Sequence, residues 1–230
     1  MRIFDIIFSI LAILMLLPFL LVLGILLKIT GEGEVFYIQE RVGRFGNKIK
    51  VIKFSTMLKN SPEMKHKNIT IKNDPRILPL GKFLRDTKIN ELPQLINVLK
   101  GDMSLVGPRP LTEDAFYKIP NKYLKKMSSL KPGLSGLASV ILRNEEEILF
   151  KVSDPDKFHK EVLNPYKARL EIWYDKNRSF FTYFLIIILT FFGIFFKKQD
   201  LLKKIFLERP EEPNELAKIK LLISKNKNNL

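Results

Sequence analysis

The sequence predicts an α/β, mostly helical fold attached to a membrane. Three features carry that expectation: an uncharged apolar run near the N-terminus, two short β-rich runs around a glycine-bearing turn, and several stretches with apolar residues at helical spacing.

The apolar run from Ile6 to Leu27 (IIFSILAILMLLPFLLVLGILL) carries no charge. As a helix it is long enough to cross about 30 Å of hydrocarbon. It exceeds a usual signal-peptide core, and no small-residue cleavage site follows Lys28, so a retained element is expected. Pro18 removes a helix hydrogen bond near its middle and Gly24 adds a second weak point, which predicts a membrane kink at Leu17 and Pro18. Two arrangements fit: a spanning helix with a tolerated kink, or a re-entrant hairpin that leaves Arg2 and the basic body beyond Lys28 on one side.

Val35 to Gln39 and Lys48 to Phe54 are β-rich and bracket RVGRFGN, whose Gly43 and Gly46 suit a turn, so a small β-hairpin is expected. Asn60 to Asn73 is polar and Lys-rich without a period and is read as a loop. Glu91 to Leu99 repeats apolar residues at Leu92, Leu95, Ile96 and Leu99 with Pro93 in the first turn, which puts Asn90 and Glu91 at a helix N-terminus. Such a position caps well and also favours anions. In the following GDMSLVGPRP, Pro108 and Pro110 bracket Arg109 and limit its backbone freedom, as suits bidentate phosphate capture.

KPGLSG (Lys131 to Gly136) reads as a turn, and Glu145–Lys151, Asp156–Leu163 and Tyr166–Asp175 as amphipathic helices. A second apolar stretch, Phe180 to Phe196, is short for a span and is flanked by Arg178 and by Lys197, Lys198, Lys203 and Lys204. Cations at both ends favour a segment lying in the membrane interface over one that crosses. The Lys- and Asn-rich end is expected to be a polar tail. The expected parts are therefore a membrane helix over 1–30, a catalytic body over 31–178, interfacial helices over 179–207 and a tail over 208–230.

With 39 Lys+Arg against 24 Asp+Glu, the formal charge of +15 favours anionic partners such as phospholipid headgroups and nucleotide phosphates. No basic face with interleaved aromatics is apparent, so nucleic acid is not an expected partner. The absence of cysteine removes disulfides, thiolate metal sites and thiol nucleophiles, and makes a reducing compartment the easier reading. There is no GxxxxGK[ST], no GxGxxG after a strand, and the two histidines, His66 and His159, lie far apart.

KINELPQLINVLKGDMSLVGPRPL (Lys88 to Leu111) resembles the signature of the bacterial sugar transferases, monotopic phosphoglycosyl transferases. The resemblance extends to the Pro-bearing membrane helix, to GEVFYIQERVG and VIKFSTM within Gly33 to Met57, to NDPRILPLGKFLR (Asn73 to Arg85) and to PGLSGLASV (Pro132 to Val140). It implies a re-entrant N-terminal helix, although Leu17 stands where Ser usually precedes the proline. It also implies a two-step reaction. An Asp carboxylate attacks the β-phosphate of a UDP-sugar, UMP leaves, and the phosphosugar passes to undecaprenyl phosphate with Mg2+ at the diphosphate.

Carried over residue by residue, the family's catalytic Asp-Glu pair falls on Asn90 and Glu91, its metal-binding Glu on Glu91 and its phosphate-binding Arg on Arg109. Arg76 and Arg85, with Asp74, fall in matching motifs and are candidates to line the phosphate pocket, and Asp102 is ambiguous. Asn90 is the main departure, because an amide does not form the acyl phosphate a carboxylate would. Four explanations stand open: an engineered exchange, a subgroup using Glu91 or Asp86, direct attack by the lipid phosphate, or an inactive paralogue. Ser55, Leu137 and Ser139 are lesser departures. The resemblance implies a place on the cytoplasmic face of the inner membrane, anionic phospholipid around the chain, and later glycosyltransferases as partners. A non-catalytic pseudoenzyme that still binds UDP-sugar or lipid phosphate is the alternative.

Overall fold

A computed structural model describes residues 1–61, 74–195, 206 and 208–228. Most of the loop expected over Asn60 to Asn73, and the lysines expected after the second apolar stretch, lie outside these residues.

The apolar run forms one helix, α1 (Arg2–Thr30), assigned without interruption across Pro18. Its two ends lie against different parts of the same body. Near the start, Phe4, Ala12 and Ile13 pack on the main core, and the Arg2 guanidinium donates to the carbonyls of Val98 and Leu99. Near the end, Leu23 and Leu27 are buried with Phe54 and Leu84, each such burial being worth roughly 1.5–3 kcal/mol. Pro18 and its neighbours Leu17 and Phe19 are exposed. Asp5, the acidic residue of the first turn, is buried and accepts hydrogen bonds from Ser104 Oγ, the Leu105 amide and the Tyr183 hydroxyl. A carboxylate inside an otherwise apolar helix is thereby satisfied.

The expected hairpin is present: β1 (Phe36–Val42) pairs antiparallel with β2 (Lys48–Phe54), with Arg41 opposite Ile49 and Tyr37 opposite Lys53. Because side chains alternate, Arg41, Tyr37, Lys53 and the fully buried Val51 share one face. A second, parallel two-stranded sheet joins β3 (Ser104–Val106) to β4 (Gly133–Ser135), where the sequence suggests only a turn. Gly107 leaves this sheet under tight constraint, since a Cβ there would lie 2.4 Å from the Lys131 carbonyl oxygen.

The helical remainder is α2 (Pro79–Asp86), α3 (Gln94–Lys100), α4 (Glu113–Tyr117), α5 (Asn121–Ser129), α6 (Leu137–Ile141), α7 (Glu145–Phe150), α8 (Pro155–Phe158), α9 (Asn164–Asn177), α10 (Phe180–Phe195) and α11 (Asn214–Asn228). A π-helical turn, His159–Leu163, joins α8 to α9. The stretch expected as a polar tail is thus largely helical: α11 buries Leu216 and Ile223 in the main core. The spacing of its apolar residues within a Lys-rich context conceals that face. α10 is fastened to the body by polar links, with Ser135 Oγ 2.5 Å from Thr190 Oγ1 and the Arg143 guanidinium over Gly193. Its opposite face exposes Phe180, Phe181, Ile188, Phe191 and Phe192.

Candidate active site

The signature segment opens with Lys88 in the left-handed conformation (φ 61°), which turns the chain into a short 3-10 helix, Ile89–Glu91. The expected helix from Glu91 instead begins at Gln94, with Pro93 at its N-cap. Asn90 and Glu91 therefore sit in their own turn ahead of a helix only one or two turns long, and side chains rather than the helix dipole set their electrostatics. Both are buried.

Glu91 is the centre of the site. Arg109 grips it with two hydrogen bonds, Nη1 to Oε2 at 3.1 Å and Nη2 to Oε1 at 2.6 Å, and Lys53 Nζ lies 3.5 Å from Oε1. Burial alone would raise the Glu91 carboxyl, but Arg109, Lys53 and Lys88 outweigh it and hold the group well below the usual carboxylate range. Arg41 and Arg85 also feel this carboxylate. Five cations thus gather around one buried ionised glutamate, with Glu145 and Glu146 acting on Arg109 from farther out, and the remaining surplus suits a multiply charged anion. The guanidinium of Arg109 remains half exposed. Burial, set against Glu91, draws the Lys53 ammonium down to about 8.

The positions read from sequence separate here. Asn90, Glu91, Arg109 and Arg85 come together. Arg76 does not share this surface: its guanidinium is closed on Asp74, Nη2 to Oδ2 at 2.6 Å and Nε to Oδ1 at 2.9 Å, with both side chains buried. Asp102 lies 3.4 Å from Asn97 Nδ2, within the contact that fastens α3 to β2. Pro18 is remote from the pocket, in the exposed middle of α1.

Arg41, Lys53, Lys88 and Glu146 were missed as site residues. The hairpin register carried a signal for the first two, since it places both charges on the strand face that buries Val51. Glu146, in the first turn of α7, faces Arg85, Lys88 and Arg109 from the rim; nothing local in Glu145–Glu147 distinguishes it. An apolar cleft flanks Arg109 between Val42 and Gly43 on one side and Phe116, Met127 and Leu130 on the other.

The donor set bears on a divalent ion. Among the described residues no three His, Cys, Asp or Glu side chains gather as a metal site. Glu91 is a lone carboxylate engaged by cations, and the buried Asn90 Oδ1 has no hydrogen-bond partner. A lone carboxylate fits a magnesium ion that arrives largely clothed by diphosphate oxygens and water, and does not fit an ion caged by protein.

A family model described as bacterial sugar transferase matches residues 1–197. An exopolysaccharide production protein, ExoY, of Sinorhizobium fredii is 35% identical over 66% of this chain and 73% of its own. A UDP-glucose:undecaprenyl-phosphate glucose-1-phosphate transferase of Klebsiella pneumoniae is 38% identical over 80% of this chain and 39% of its own. A UDP-galactose-lipid carrier transferase of Erwinia amylovora is 34% identical over 86% of this chain and 40% of its own. The chain thus spans about four-tenths of these two longer relatives. Matched over most of its length by the family model, and to nearly three-quarters of one relative, the chain belongs to the bacterial sugar transferase family.

Proposed function

We propose that this chain is a phosphoglycosyl transferase that moves a sugar-1-phosphate from a UDP-sugar to undecaprenyl phosphate, giving undecaprenyl-diphosphate-sugar and UMP. The observation that carries this reading is the buried carboxylate of Glu91, inside the family's signature, set among Arg41, Lys53, Arg85, Lys88 and Arg109. Both substrates present phosphate, and such a pocket gathers phosphate while lowering the cost of charge on the transferring group. Arg109, rigidly presented and half exposed, is placed to exchange one lobe of its contact with Glu91 for a phosphate oxygen. Glu91 is the side chain that would touch Mg2+. The ion would supply charge neutralisation at the diphosphate.

The acceptor is a membrane lipid, and two exposed apolar surfaces support a membrane seat. α1 is long and apolar enough to cross a bilayer, and α10 presents a phenylalanine-rich face opposite its polar fastenings. Contact of both ends of α1 with one body supports a re-entrant path that turns at Pro18 and leaves the catalytic body on the cytoplasmic face of the inner membrane. The relatives' names point to UDP-glucose and UDP-galactose as the first donors to try. The product would be extended by later glycosyltransferases.

Full-length protein in lipid nanodiscs, given radiolabelled UDP-sugar, undecaprenyl phosphate and Mg2+, should form an organic-extractable labelled lipid and release UMP, both stopped by EDTA. Failure with every common UDP-sugar would contradict the proposal. Asn90 favours one second reading, a pseudoenzyme that binds UDP-sugar without turnover; saturable binding with no UMP would mark it.

A further inference from the structure

Among the described residues, the carboxylates near the pocket are nearly all committed. Both oxygens of Glu91 are held by Arg109, with Lys53 added on Oε1. Asp74 is sealed against Arg76. Asp86 is exposed at the end of α2. Glu145 is gripped by Lys167 at 2.6 Å and by His159 at 3.2 Å, which hold it at about 2 against the opposing effect of burial. A carboxylate so stabilised is a poor nucleophile.

Beside this charge lies an unused neutral element. Asn90 is 6% exposed with an unpartnered Oδ1, and four residues on Gln94 is 2% exposed with an unpartnered Nε2. Buried polar atoms without partners are costly, on the order of 1–3 kcal/mol each. A substrate phosphate and sugar would supply what both lack: Gln94 Nε2 can donate to a phosphate oxygen, and Asn90 can accept from a hydroxyl. An amide at position 90 also adds no negative charge to a pocket that must collect two phosphate-bearing substrates.

We propose that transfer in this chain is a single displacement within a ternary complex, with Asn90 and Gln94 as neutral substrate contacts and no phosphosugar–protein intermediate. The inference rests on the phosphoglycosyl transfer reading above. An oxygen of the lipid phosphate forms a bond to the β-phosphorus of the UDP-sugar. The bond from that phosphorus to the bridging oxygen breaks, and UMP leaves with the electron pair. No proton and no redox partner is needed. The lipid phosphate takes the attacking role that a protein carboxylate would otherwise fill.

Rapid-quench measurement of UMP release without undecaprenyl phosphate tests this, together with intact-protein mass. The protein as written should give no UMP burst and no mass increase of a sugar phosphate, yet turn over once lipid is added, with intersecting initial-velocity lines. Asn90→Asp should gain a burst approaching one UMP per chain, with the matching adduct. A burst or adduct in the protein as written would overturn the inference, and its loss in Glu146→Gln would name the rim carboxylate as nucleophile. Turnover with lipid by Asn90→Asp alone would also overturn it while preserving the family reaction. Absence of turnover in both would remove the parent reading as well.

Discussion

Two arginine–carboxylate pairs in this molecule look alike on paper and differ in what surrounds them. Arg76 and Asp74 close on each other with side chains 5% and 2% exposed, whereas Arg109 grips Glu91, itself 10% exposed, while remaining 48% exposed. The first pair is closed on itself and all but shut off from water. The second is unbalanced, with further cations from Arg41, Lys53, Arg85 and Lys88 and an opening through which an anion can reach them. Closure makes an ion pair part of the fold; surplus and access make it a binding site.

Breaking each pair should separate these roles. Arg76→Ala removes the two-pronged partner of the buried Asp74, and should cost about 3–5 kcal/mol of stability, read as a large drop in the unfolding midpoint. Arg109→Ala should lower that midpoint less, because Lys53 still pairs with Glu91, and should lower kcat/KM for the UDP-sugar about 10²–10³-fold.

Glu171 is the extreme of closure, a buried carboxylate that accepts from the Ala138 amide and, among the described residues, leaves one oxygen without a hydrogen-bond partner. Burial pushes it up to about 7. The fold therefore favours its protonated form, and that contribution, roughly 3 kcal/mol, is full below pH 4.5 and is lost as the pH rises to 7. Glu171→Gln should flatten the stability profile between these limits, as followed by denaturant unfolding at several pH values. A smaller effect is expected at the open pair: binding of UDP should weaken several-fold as the pH rises past about 8 and Lys53 loses its proton, and Lys53→Arg should move that loss to higher pH. The exposed Lys118–Asp114 pair, at 2.8 Å, sets the lower end, and Lys118→Ala should change stability by less than about 0.5 kcal/mol.

Much of the site was legible in the sequence because one contiguous segment, Lys88 to Leu111, carries both Glu91 and Arg109. Its grouping of Arg76 with Arg109 failed to separate two roles, since motif position says nothing of which guanidinium is sealed. Lys53 and Arg41 could have been found from strand alternation once the hairpin register was known, whereas Glu146 depends on how α7 packs, a long-range matter. The hairpin and both apolar helices followed from local pattern. The parallel β3–β4 pairing did not, as three-residue strands joined across α4 and α5 leave little periodicity to read. The burial of α11 on the core was hidden for a similar reason: its apolar residues are sparse among lysines, and only tertiary contact gives them a partner.

The account turns on the open pair being an anion site, and equilibrium binding of UDP to the full-length protein in nanodiscs with Mg2+ tests that without knowing the sugar. It predicts saturable binding at one site, weakened at least tenfold by Arg109→Ala. No saturable binding, or equal affinity in Arg109→Ala, would contradict it.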